Sequence, residues 1–400
     1  WISSKFINQN RIFTAIDSAN FGTTTPEKSY EQRDQIICSI IDKDRILNGV
    51  EKKLAKERFL KIRDYNRIRN NRESMYQNCK QCTRISRTRF CCEHCVKDVI
   101  VENFGKWTSG NSILDSIIQK TQIAIPYPGN FPEWIPYKHI CNIKYKTKGG
   151  FALIQTAKWQ KGVIKNFSAA KKTFYRNRPM KVCLKHLKGS NAADDKYMTE
   201  VQIHFSLSSI PVDIAWLLGV TIDPNTKDFI LVLMQEESNL WEILSDPKNK
   251  YTWRQVYDLL LYICGTLKTM HQNDITHRDL HPGNILQTAG MHRLSDFEKK
   301  HDNYLIFEIL DGLRPPTIKW SPTSYNNLMQ RCWDSDPNKR PSTTELHDYF
   351  ENILYDEISN PTFINKIVRR SAFDTKILQK FAKSSVYIFE SLDISKRDSY

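Results

Sequence analysis

His277-Arg278-Asp279-Leu280-His281-Pro282-Gly283-Asn284 is the stretch that decides how this chain is read. It follows the strongest helical pattern in the sequence, Tyr251 to Gln272. There Val256, Leu260, Ile263, Leu267 and Met270 recur at spacings of four and three, which draws one apolar stripe along a helix. Thr252 and Gln255 stand where a capping box would open that helix. The loop that closes it carries a carboxylate, Asp279, and an amide, Asn284. A second carboxylate, Asp296, comes twelve residues later, in Asp296-Phe297-Glu298.

Upstream the pattern changes to strands. Asn142 to Lys146, Ala152 to Lys158, Gly162 to Asn166 and Met180 to His186 read as extended segments, and Phe229 to Met234 as a buried strand. A helix is predicted from Asp194 to Phe205. Val182-Cys183-Leu184-Lys185 falls on the fourth strand, and Glu200, fifteen residues on, falls in that helix. Alone, Lys185 reads as an ordinary strand lysine and Glu200 as a surface acid. Strands followed by helices give an α+β arrangement in two lobes. Downstream, Ser342 and Glu345 can cap a last helix.

Taken together these stretches resemble a protein kinase domain, from about Ile140 to Leu354. H-R-D-L-x-x-x-N is the catalytic-loop signature, Asp296-Phe297-Glu298 stands in the D-F-G place, and Val182-Cys183-Leu184-Lys185 in that of V-A-I-K. Lys148-Gly149-Gly150-Phe151-Ala152-Leu153-Ile154 is similar to the phosphate-covering loop. Cys332-Trp333 to Arg340-Pro341 resembles the C-W-x-x-x-P-x-x-R-P segment near the end of the kinase fold, and the motifs together resemble the tyrosine-kinase-like group. From Cys79 to Leu354 the chain is also similar to an expanded family of kinase-like proteins in mycorrhizal fungi, in which a cysteine-knuckle segment and a W-T-S-G-N stretch (Trp107 to Asn111) precede the kinase domain.

The resemblance implies a division of labour. Phosphoryl transfer needs positioning and charge neutralisation more than covalent chemistry. Asp279 would orient the substrate hydroxyl and accept its proton. Asn284 and Asp296 would hold Mg²⁺. Lys185, steadied by Glu200, would bind the α- and β-phosphates of ATP, and the backbone around Gly149 and Gly150 would cover them. Ile154, Cys183 and Leu286 would sandwich the adenine, with Leu233 as gatekeeper and Met234 to Glu236 as the hinge.

Departures from the pattern qualify that expectation. Thr147 and Ala152 replace two glycines of the phosphate loop, and Glu298 replaces the glycine of D-F-G. An activation segment and A-P-E motif are missing near 299–303, so the second lobe reads as truncated. Arg340 lacks the glutamate it would pair with, and must find another acid, reach water, or bear the cost of burial. His281 stands where Ser/Thr kinases usually carry Lys, which leaves the acceptor hydroxyl open.

The cysteines point to a second chemistry. Five of the ten, Cys79, Cys82, Cys91, Cys92 and Cys95, fall within 17 residues. Cys79-x-x-Cys82 and Cys92-x-x-Cys95 are two knuckles able to offer four thiolates to one tetrahedral Zn²⁺. Cys91 or His94 could replace one ligand, and a hairpin from Thr83 to Cys91 would close the site. Free thiols and a redox pair are the alternatives. The scattered remainder fits a reducing compartment, the cytoplasm or the nucleus, rather than a disulfide scaffold.

The 400 residues carry a net charge of +15, unevenly placed. Residues 1–100 hold 20 basic and 12 acidic residues, and 143–193 hold 13 basic and no acidic ones. The first excess reads as a solvated helical arm in preference to a nucleic-acid surface. The second favours a phosphate-bearing partner. No apolar run reaches the ~18 residues of a membrane span, and no signal peptide is read. The expected plan is an N-terminal arm (1–78), a knuckle segment and connector (79–138), a kinase-like domain (139–354) and a tail (355–400). Three functions fit: an active protein kinase, a pseudokinase binding nucleotide or partner proteins, and a zinc-containing basic module binding nucleic acid or protein.

Overall fold

The computed structural model describes residues 11–12, 15–16, 19, 30–69, 77–148, 152–187, 189–190, 195–210, 212–246, 248–249, 251–288, 291–297, 314 and 321–359. Gly149, Gly150, Glu298 and the 299–303 junction lie outside them. The chain divides into two units, Trp1–Pro211 with Trp216–Gln235, and Val212–Ala215 with Glu236–Tyr400.

The first unit opens with helices α1 (Tyr30–Lys43) and α2 (Gly49–Arg69). α2 is the charge-mixed stretch expected to be a solvated arm, yet one side of it is buried. Ala55 and Phe59 pack with Ile37 and Ile41 of α1, and Asp64 and Arg67 are buried beside them. Burying a charge is costly unless it is paired, and here it is. Arg63 Nε and Arg67 Nη2 donate to Asp34 at 2.8 and 2.5 Å, and Arg67 Nη1 donates to Asp64 at 2.9 Å.

The cysteine segment follows. Strands β1 (Gln77–Asn78) and β2 (Ile85–Ser86) pair as a short ribbon, and the second knuckle leads into α3 (Glu93–Asn103). The ribbon thus closes over residues 79–84 rather than over Thr83 to Cys91. Thr83 takes a left-handed φ of 58° and its N–H donates to Cys79 O at 2.8 Å, which completes the tight turn. α4 (Ser112–Ala124) begins at Asn111, whose Oδ1 accepts from the N–H groups of Ile113 and Leu114, each at 3.0 Å. This satisfies two donors that every helix start leaves open.

The rest of this unit is sheet-rich. β3 (Glu133–Trp134), β4 (Ile140–Lys148), β5 (Ala152–Trp159), β6 (Ile164–Ser168), β7 (Thr173–Arg176) and β8 (Met180–Leu187) precede α5 (Asp195–Ser209), then come β9 (Leu217–Ile222) and β10 (Phe229–Met234). The main sheet has the order β3-β9-β10-β8-β5-β4, while β6 and β7 form a separate two-stranded ribbon. Alternation along β8 sorts its residues between two cores. Val182 and Leu184 pack with Trp159, Ile230 and Val232. Leu187 and Cys183 pack on the opposite face, with Leu114 and Ile118 of α4 and Val201 and Phe205 of α5. β3 joins β9 in parallel, and a Cβ on Gly219 would lie 2.1 Å from Glu133 O, so this approach requires glycine.

The second unit holds β11 (Ser238–Asn239), α6 (Leu240–Ser245), α7 (Trp253–His271), β12 (Ile285–Thr288), β13 (Met291–Leu294), α8 (Thr323–Cys332) and α9 (Thr343–Ser359). Trp253, Tyr257 and Cys264 of α7 bury themselves against Leu328 and Cys332 of α8 and Leu346, Phe350 and Leu354 of α9. Thr252 and Gln255 form the expected reciprocal cap, and Ser342 and Glu345 do the same for α9. Thr252→Ala is expected to lower stability by about 1 kcal/mol, seen as a lower urea midpoint with an unchanged slope. This mixed α+β organisation, with a sheet-rich first unit and helical elements in the second, is consistent with a kinase fold.

Candidate active site

The second unit positions its polar loop with a hairpin. β12 and β13 pair from Ile285↔Leu294 to Thr288↔Met291, which sets Asn284 just before one strand and Ser295-Asp296 just after the other. The Ser295 N–H and Oγ both donate to Asn284 O, at 2.9 and 3.2 Å. Asn284 lies in a 3-10 turn, Pro282–Asn284, and its Nδ2 donates to Asp279 O at 2.9 Å and to Asp279 Oδ2 at 3.1 Å. The hairpin therefore fixes the amide, and the amide fixes the carboxylate. Both side chains are largely buried, at 7% and 5% exposed.

The histidines act as supports. His277 is fully buried, its Nδ1 accepts from the Asp279 N–H at 3.3 Å, and its ring lies 5.0 Å from that of Phe297. His281 Nδ1 accepts from the Gly283 N–H at 3.0 Å, which leaves the proton of the neutral ring on Nε2. That nitrogen is 3.8 Å from Asp279 Oδ2. Arg278 and Asp296 both adopt left-handed φ angles, 65° and 64°. Non-glycine residues rarely do so, and such strain gathers at functional turns.

Burial lowers the pKa of His277 to about 4, although Asp296 pulls it upward. The unfolded chain, with an ordinary value of 6.5, therefore binds more protons between those two pH values. Stability should fall as pH drops from about 6.5 toward 4, by up to about 3 kcal/mol from this one group. His139 and His292 are also lowered by burial and add to the same slope. Thermal melts across this range check it; a melting temperature that stays flat from pH 6.5 to 5 would contradict it.

The first unit presents a different set. Lys185 lies on β8 between Ile154 of β5 and Leu231 of β10, and is 2% exposed. Its place in the alternation puts it on the face that α5 covers, with Cys183 and Leu187. Cys183 pairs in register with Thr156 and Leu233. The backbone of Glu200 lies in α5. Leu233 is buried near the end of β10, and Met234 ends the strand.

Glu236 and Leu286 belong to the second unit. Arg293 Nη1 donates to both Glu236 carboxylate oxygens, at 2.9 and 3.1 Å. Leu286 of β12 pairs in register with Asn239 and Arg293. Neither this ion pair nor the role of Ser295 was legible in the sequence, since both depend on the hairpin's register. Arg340 bonds backbone carbonyls of its own segment. Its Nε donates to Asp334 O at 2.6 Å and its Nη2 to Ser335 O at 3.4 Å.

The residues suit the chemistry that the resemblance implies. Asn284 turns its Nδ2 to Asp279, so its Oδ1 is the atom left for a cation, and Asp296 adds a carboxylate. Hard oxygens of this kind suit Mg²⁺. In the first unit the sulfurs of Cys79, Cys82, Cys92 and Cys95 all lie within 4.8 Å of one another, a group that could hold a metal ion.

Residues 166–302 match the family model of the protein kinase domain. The chain is 24% identical over 239 residues to the RGS domain-containing serine/threonine-protein kinase A of Dictyostelium discoideum, covering 43% of this chain and 21% of that protein. It is 23% identical over 246 residues to the dual specificity protein kinase pyk3 of the same organism, covering 47% and 18%. It is 22% identical over 284 residues to the tyrosine-protein kinase SPK-1 of Girardia tigrina, covering 54% and 53%. The aligned segments thus span about half or less of these relatives' lengths. The family model and these relatives support the protein kinase family for this chain.

Proposed function

We propose that this chain binds Mg·ATP and transfers its γ-phosphate to a protein hydroxyl. The observation that carries the reading is the Asn284 amide, held by the β12–β13 hairpin and bonded to Asp279. A carboxylate kept by a donor at a fixed angle can orient an incoming hydroxyl and take its proton. Asn284 Oδ1 and Asp296 would hold Mg²⁺, which when bound neutralises phosphate charge. Lys185, with Glu200, would contact the α- and β-phosphates. The backbone at Gly149 and Gly150 would cover them, while Ile154, Cys183, Leu233, Met234, Glu236 and Leu286 would frame the adenine.

A second reading, nucleotide binding without efficient transfer, is favoured by Ala152 and Glu298 in glycine positions and by the short interval between Glu298 and Arg340. A Cβ hinders close backbone approach to phosphate. Finer placement in the tyrosine-kinase-like group rests on the motifs between Ile140 and Leu354 taken together, and likeness to the mycorrhizal kinase-like proteins on Trp107 to Asn111 with the cysteine segment. Incubation with γ-labelled ATP, Mg²⁺ and a mixed Ser/Thr/Tyr peptide library separates the readings. Label on peptide or chain that is lost in Asp279→Asn supports transfer. Nucleotide binding with no label in either protein supports the second reading.

A further inference from the structure

The four sulfurs of the cysteine segment are arranged across two elements. Cys79 Sγ lies 3.7 Å from Cys95 Sγ, and Cys82 Sγ lies 3.7 Å from Cys92 Sγ. Each close pair thus joins the β1–β2 turn to the start of α3. A disulfide needs about 2.05 Å between sulfurs. Four thiolates around one ion at about 2.3 Å stand about 3.8 Å apart along the edges of a tetrahedron. The observed separations match that edge.

The backbone prepares this arrangement. The Cys79 N–H donates to Arg84 O at 2.9 Å, and the Gln81 N–H points at Cys79 Sγ at 3.4 Å. Cys92 is the N-cap of α3, where open N–H groups favour negative charge. Cys91 is drawn elsewhere, into apolar contact with the clusters around Val96 and Phe131 and around Ile68 and Tyr127.

We propose that Cys79, Cys82, Cys92 and Cys95 bind a single Zn²⁺ as thiolates, each thiol losing its proton to solvent. Tetrahedral sulfur ligation selects this metal over Mg²⁺ and Ca²⁺. The ion is a clasp for the N-terminal helices. Between the knuckles, the Arg89 and Phe90 N–H groups donate to Asp64 Oδ2 at 2.7 and 3.1 Å, and Arg89 reaches Asp34 at 3.2 Å. Ser86 Oγ and the Arg87 N–H bond the buried Glu93 carboxylate, at 2.7 and 3.0 Å. Fixing both knuckles fixes the loop that holds α1 and α2 through Asp34 and Asp64. This site is independent of the nucleotide reading.

The test is metal analysis of the whole chain purified under reducing conditions, with Cys91→Ser and Cys92→Ser beside it. One zinc per chain is expected in the parent and in Cys91→Ser, with marked loss in Cys92→Ser. Should Cys92→Ser fail to fold, Co²⁺ added to the metal-stripped parent decides. Intense thiolate-to-cobalt charge transfer with tetrahedral d–d bands supports the site. Zinc far below one per chain without that charge transfer, iron in place of zinc, or loss of zinc in Cys91→Ser would overturn it.

Discussion

Asp279→Asn is expected to reduce γ-phosphate transfer by about 10²–10⁴-fold, the contribution of a positioned general base. The substitution leaves the shape of the side chain but removes its charge and its ability to accept a proton. It also sets an amide beside Asn284 Nδ2, which donates to Asp279 Oδ2 at 3.1 Å. In one rotamer two N–H groups would face each other, whereas the flipped amide offers its oxygen to Asn284 Nδ2. In the proposed function Asp279 serves the acceptor hydroxyl and not the nucleotide. Mg·ATP affinity should therefore change by only a few-fold, and the loss should appear in kcat. A variant that keeps parental turnover would remove Asp279 from the catalytic set.

Asp34→Ala is expected to be strongly destabilising. Asp34 is 1% exposed and receives Arg63, Arg67 and Arg89. The Arg67 side chain is 4% exposed, so removing its partner leaves a buried charge under-compensated. Breaking such a pair costs about 3–5 kcal/mol, or a melting-temperature loss on the order of 10 °C. The pair Lys172–Glu102, 69% and 55% exposed at 3.5 Å, provides the contrast. Glu102→Ala should cost less than about 1 kcal/mol, because solvent screens the pair. Equal melting shifts for the two variants would contradict the burial argument.

The two predictions draw on different levels of legibility. Asp279, Asn284 and Asp296 could be found from spacing, because a loop at a helix end and a short hairpin are local features. β5, β8 and β10 followed from alternation and apolar runs. The Asp34 network could not be foreseen, since it joins α1, α2 and the loop before α3 across long separations. The charged pattern of α2 suggested a solvated face because charge is usually exposed, and pairing is what allowed part of it to be buried. β6 was expected among the strands, but its pairing with β7 outside the main sheet depends on register that periodicity does not encode. β9, Leu217 to Ile222, is a short mostly apolar run that its one glycine keeps from standing out as a strand. The left-handed turns at Arg278 and Asp296 left no sequence signal, as neither is glycine. The bonds from Arg340 to the carbonyls of 334 and 335 are visible only in the fold.

The central proposal is that this chain binds Mg·ATP in the manner of a kinase, with Lys185 contacting phosphate. The thermal shift produced by Mg·ATP, compared between the parent chain and Lys185→Met, tests it most directly. The account predicts a clear rise in the parent's melting temperature that depends on Mg²⁺ and shrinks strongly in Lys185→Met. Binding at 100 times Kd stabilises by about 2.7 kcal/mol, well above the noise of such a melt. An unshifted parent, or an equal shift in both proteins, would contradict it.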